Sequence, residues 1–186
     1  MKPHELNLCL RKHSVIAAIS DDKWLDAVCS PANVLFYLSA NLLSIKEKVS
    51  QAHRAGKIVM VHIDLAEGIG KDGAGISYLA QCGVDGIIST RANIIRLAKK
   101  SGLIAIQRVF ALDSKGLDSI DEMIRNASPH MVEIMPGVIS KAISRFSKGN
   151  IPIIAGGLLE TKQEVSDALE AGAIAVSTSC RDLWCN

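Results

Sequence analysis

Two short runs near the C-terminal end carry groups suited to holding an anion: Gly156-Gly157, and Ser177-Thr178-Ser179 before a short final helix. Each follows an apolar run of strand length, and each offers backbone N–H groups or small hydroxyls where a chain turns. Gly156-Gly157 alone also fits an ordinary tight turn; the two runs together favour phosphate. A second set of candidates is ionisable. Glu133 stands in the middle of the apolar run Met131-Val132-Glu133-Ile134-Met135, where a carboxylate must be paired or bind a ligand. Arg108, beside Gln107 at the end of another apolar run, is its natural partner, as a buried ion pair or as a pair with hydrogen-bonding capacity left for a polar ligand. His62 and Asp64 are two residues apart at a third strand end, structural or placed to meet a ligand hydroxyl. A carboxylate–histidine acid/base pair from these residues, or a hard cation on Asp64, Glu67 and Glu133, stays open, although nothing in the spacing demands either. No lysine stands at a strand exit inside an apolar pocket, which argues against Schiff-base chemistry.

The elements that must position these residues repeat. Gly56, Gly83, Gly102, Gly149 and Gly172 each follow a helical stretch and precede an apolar strand, and Ser128-Pro129 fills the one wide gap. Capping signals agree: Thr161 and Glu164 form a capping box ahead of Val165, Ala168 and Leu169 on one helix face. Strict strand–helix alternation over eight units predicts a single (β/α)8 barrel over residues 1–186, with a doubly wound sheet as the alternative. Strand exits carry polar, small or ionisable residues nearly every time; strand entrances share no theme. The glycine-rich loop 67–73 reads as a mobile segment of the exit rim.

Composition narrows the class. The chain has 186 residues, 48% of them hydrophobic, enough for a large core. Net charge is +2, so no overall basic field points to nucleic acid, although local basic sets exist in Arg91, Arg96, Lys99 and Lys100, with Arg145 and Lys148 elsewhere. An ordinary solvated helix face explains these as well. Five cysteines without CxxC pairs predict free thiols in a reducing cytoplasm. No apolar run is long enough to span a membrane, and the N-terminus does not read as a signal peptide. No cofactor, metal or catalytic group is called for.

The strings GIISTR (86–91), IQRVFALDS (106–114), VEIMPGVI (132–139), PIIAGGLL (152–159) and AVSTSCRDLW (175–184) together resemble the glycerol-3-phosphate-responsive antiterminator family, from the VIAAI of strand one to Trp184. Ser140 stands where the family pattern has proline. The resemblance implies a small (β/α)8 barrel that regulates rather than catalyses. It implies binding of glycerol 3-phosphate, with the phosphate on Gly156, Gly157, Ser177, Thr178 and Ser179 and the polyol near His62, Asp64, Arg108 and Glu133. It also implies binding of the leader mRNA of glycerol-utilisation operons, for which Arg91, Arg96, Lys99 and Lys100 are candidates, and allows a homodimer. The alternative is a phosphate-binding barrel enzyme, an isomerase or phosphodiesterase acting on a small phosphorylated polyol or sugar.

Overall fold

The computed structural model describes residues 1–111 and 114–185. Leu112 and Asp113, part of the IQRVFALDS string, lie outside the described residues. Eight strands close into one barrel in sequence order: β1 (Val15–Ile19), β2 (Val34–Tyr37), β3 (Ile58–His62), β4 (Gly86–Ser89), β5 (Ile104–Phe110), β6 (Met131–Met135), β7 (Ile153–Gly156) and β8 (Ala175–Thr178). Every pairing is parallel, and β8 closes on β1 through Ile16 opposite Ser177. The predicted (β/α)8 architecture is therefore the one observed.

The helices are α1 (Pro3–Lys12), α2 (Trp24–Cys29), α3 (Ile45–Arg54), α4 (Gly73–Gln81), α5 (Ala92–Lys100), α6 (Ser114–Ala127), α7 (Ser140–Phe146) and α8 (Lys162–Glu170). Four predicted stops, Gly56, Gly83, Gly102 and Gly172, take the left-handed conformation that glycine adopts without steric cost, with φ from +72° to +107°. Ser128 supplies the same conformation after α6, at φ +48°.

Strand alternation divides the core in two. Ala17, Leu35, Val61, Ile87, Val132 and Val176 face outward and are covered by the helices. Ile16, Phe36, Met60, Ile88, Ile106, Met131 and Ile154 fill the barrel interior. Leu6 and Leu10 of α1, both fully buried, complete that interior from below. The sequence pattern predicts no element for this segment. α1 is a floor plug, entered at Pro3 and capped by Glu5, whose carboxylate accepts the Lys2 amide at 2.6 Å. Among the described residues no helix is long and apolar enough to cross a membrane, and the five cysteines are free.

Candidate functional site

Above the apolar layers, the same inward alternation places His62, Arg108, Glu133, Gly156 and Ser177 at the C-terminal mouth. Arg108 Nε donates to Glu133 Oε2 at 2.6 Å, and Ser177 Oγ donates to Glu133 Oε1 at 2.6 Å. Both carboxylate oxygens are thus held, and Glu133 is fully buried. This is the ion pair anticipated from the apolar run around Glu133. Gly156 makes room for it, since a Cβ there would lie 2.5 Å from Glu133 Oε1 and 2.7 Å from Ser177 Oγ.

The exits of β7 and β8 are tied to each other. Thr178 Oγ1 donates to the Leu159 carbonyl at 2.6 Å and accepts from the Cys180 amide at 3.0 Å, and Trp184 Nε1 donates to the Thr178 carbonyl at 2.9 Å. The hydroxyls of Ser177 and Thr178 are therefore already spent on the scaffold. The amides of Gly157, Leu158 and Ser179 find no acceptor among the described residues. Gly157 and Leu158 are consecutive left-handed residues, φ +77° and +60°. The second is strained for a side-chain-bearing residue and is held by the turn around it.

These groups border a cavity of about 630 Å³, open at the mouth. Arg108, Glu133 and Met135 form one wall, residues 157–160 and 177–180 another, and Ala18, Lys23 and Leu38 the third. Lys23, half-buried and outside the predicted site set, lies just past β1, lines the cavity, and donates to the Ser179 carbonyl at 2.9 Å. The signal in the sequence was its position in Ser20-Asp21-Asp22-Lys23, directly after the first strand.

Two predicted ligand residues lie apart from that cavity. Asp64 accepts from Ser89 Oγ (2.8 Å), the Thr90 amide (2.7 Å) and Thr90 Oγ1 (2.9 Å), bracing the exit of β4. Burial opposes its ionisation, but those three donors outweigh burial and hold its carboxyl below the usual range. His62 is buried in the mouth layer with no partner for either ring nitrogen among the described residues. Burial, then the charge of Arg108, push its pKa down, so the ring is neutral at pH 7.

Asp64, Glu67 and Glu133 do not converge, because Glu67 reaches instead to Asn41 Nδ2 at 3.2 Å. Among the described residues no three His, Cys, Asp or Glu side chains assemble as metal ligands. The glycine-rich loop, expected to be mobile, is stapled. The Lys71 ammonium donates to the carbonyls of Ala66 and Ile69, Asp72 caps α4 through the Gly75 amide, and Gly75 lies against the Gly70 carbonyl with no room for a Cβ. None of these loop residues lines the cavity.

The proposed RNA-contacting set on α5 does not form one patch. Arg91 sits at the rim, its Nε 3.8 Å from Asp64. Lys99 and Lys100 end the helix about 13 Å away at 1.5 Å per residue. Arg96 donates to the Asn126 carbonyl at 2.8 Å, and Lys99 to that of Ser128. Arg145 is paired with Asp118 and Asp121.

The profile of the glycerol-3-phosphate responsive antiterminators matches residues 15–184, which takes in every strand and every wall of the cavity. The chain belongs to that family. The crystal structure of the glycerol uptake operon antiterminator regulatory protein from Listeria monocytogenes superimposes on this antiterminator-family barrel with a TM-score of 0.86, at 36% identity, covering 92% of this chain and 94% of that one. A glycerol uptake operon antiterminator-related protein from Thermotoga maritima gives 0.83 at 33% identity, covering 92% and 97%. An uncharacterised Escherichia coli K12 protein, YgcP, is 34% identical over 178 residues, 94% of this chain and 93% of its own length. Membership makes this a barrel of a regulatory family.

Proposed function

We propose that the protein binds glycerol 3-phosphate at the mouth of the barrel and, in that state, the leader mRNA of an operon for glycerol use, letting transcription pass a terminator. The observation that carries the ligand reading is the cavity between β1 and the exits of β7 and β8, where three unengaged amides stand beside two cations. An oxyanion in that space accepts from Gly157, Leu158 and Ser179 and is charge-matched by Lys23. Arg108 and Glu133, already fixed on one another, present a donor and an acceptor edge to hydroxyls. Ser177 and Thr178 act at one remove, orienting Glu133 and joining the two phosphate-side turns. His62, buried and unpartnered in the same layer, is the further group a polyol can satisfy. Asp64 is a brace in this reading, not a contact.

The test is a titration of operon leader RNA, over a range of salt, with and without glycerol 3-phosphate. Tighter binding with the ligand is expected, together with a loss of ligand affinity of about tenfold or more in Lys23→Gln, which removes a charge-assisted contact. RNA affinity that ignores the ligand at every salt concentration would sink the regulatory reading.

A further inference from the structure

The small net charge conceals an excess of cations at one end of the barrel. In this topology the helices run opposite to the strands, so their C-termini and α1 share the floor with the strand entrances. Lys2, Arg11 and Lys12 stand on α1 or at its start, Lys99 and Lys100 end α5, and Lys148 follows α7. The acidic groups of that end are few and engaged. Glu5 is bound to the Lys2 amide, Asp85 to the Val59 amide and His53, and Glu170 to Ser166 Oγ. The rim is mixed: its exposed carboxylates stand among the cations Lys46, Arg91, Lys141, Lys162 and Arg181. Asp21, Asp22, Glu67, Asp72, Glu160 and Asp182 are exposed there, among the exposed apolar side chains of Leu43, Leu65, Phe110 and Leu158. The floor, where the named carboxylates are engaged and the named cations are in excess, is the end that favours a polyanion.

The cations are also contiguous across α1. On one side of it, Lys2, Lys99 and His130 line a cleft of about 240 Å³ against the start of β5. On the other, Asn7, Arg11 and Asn150 line a second cleft of about 180 Å³ against the start of β7, with Lys148 beside Gly149. His130 Nδ1 accepts from the Ala105 amide at 3.0 Å, which leaves the Nε2 proton as a donor in the first cleft. A preference of cations for helix C-termini accounts for Lys99, Lys100 and Lys12. It does not account for Lys2, at the start of α1, or for Lys148, in the loop past α7.

We infer that the floor around α1 is the surface that takes the phosphate backbone of the RNA, on the face opposite the ligand cavity. The inference rests on the antiterminator reading and adds to it the place of contact. With no exposed aromatic on this face among the described residues, contacts there are to phosphate and sugar rather than to stacked bases. RNA and ligand would then act on opposite ends of one interior core, which runs from the layer of Arg108 and Glu133 through Met60 and Ile106 to Leu6 and Leu10 of the plug.

The experiment compares two triple variants of the full chain, each removing three exposed charges: Lys12→Gln, Lys100→Gln and Lys148→Gln on the floor, and Lys46→Gln, Lys141→Gln and Lys162→Gln on the rim. Leader RNA affinity is measured against salt at saturating glycerol 3-phosphate, with ligand affinity and thermal stability recorded for each. The floor triple is expected to lose about tenfold or more in RNA affinity and about three from the log–log salt slope, one per cation, while the rim triple matches the wild type. Equal losses in the two triples, or a floor triple that binds as the wild type does, overturn the placement and leave the antiterminator reading standing. A wild type that binds ligand but no leader RNA at any salt removes both.

Discussion

Glu133, in the middle of an apolar strand, and Asp64, just past the end of one, are both candidate ligand carboxylates in the sequence, yet they have different work. Glu133 is fully buried, with Arg108 on one oxygen and Ser177 on the other, and borders the cavity. Asp64 spends its oxygens on Ser89 and Thr90, away from the cavity. The distinction was not legible from residue types, because it depends on a neighbouring strand's exit supplying three donors. It has a consequence for Asp64→Asn. The carboxyl is more acidic folded than unfolded, so its contribution to stability is complete above the unfolded value, near pH 4, and is lost as pH falls through the folded one. The variant should therefore lose about 1–3 kcal/mol at pH 7, read from urea midpoints, with the gap to the wild type narrowing below about pH 4. Ligand affinity should stay within about twofold; a large loss of affinity at unchanged stability would make Asp64 a contact after all.

At the scale of elements, the repeat was legible because helix stops obey local chemistry. Gly56, Gly83, Gly102 and Gly172 adopt the left-handed conformation, and Ser128 marks the break that glycine spacing alone left blank. Gly149 does not adopt it, yet its loop still separates α7 from β7. What local chemistry did not reveal was α1. It is a ten-residue helix with only Leu6 and Leu10 fully buried, one turn apart, so its pattern is too thin to distinguish from a polar tail. The same limit hid Lys23, whose role exists only once the closed barrel brings the exit of β1 beside β8. Because α1 closes the interior from below, Leu10→Ala should cost about 2–5 kcal/mol in urea unfolding, as for a fully buried core leucine. A cost below about 1 kcal/mol, the range of surface substitutions, would mean that the floor closes without its plug.

At the scale of the molecule, the cavity straddles the seam where the two ends of the chain meet. Ala18 and Lys23 come from the first unit, and residues 157–160 and 177–180 from the last two. Arg108 and Glu133 supply the middle of the chain. A ligand bound there contacts elements that are brought together only in the closed barrel, so the unfolded chain has no comparable site and binding adds to global stability. At a ligand concentration of about 100 times Kd the addition is about 2.7 kcal/mol. For a chain of this length each kcal/mol raises Tm by about 2–4 °C, giving a shift of about 5–10 °C. Glycerol at the same concentration lacks the phosphate proposed to bind the amides of Gly157, Leu158 and Ser179, and should give no comparable shift. The comparison is made in one thermal melt series with glycerol 3-phosphate, inorganic phosphate and glycerol. Inorganic phosphate, which in the proposed site would meet the amides but not the Arg108–Glu133 edge, is expected to fall between the other two. A shift that is as large with glycerol as with its phosphate would place recognition on the polyol side of the cavity and remove the anion site from the turns after β7 and β8.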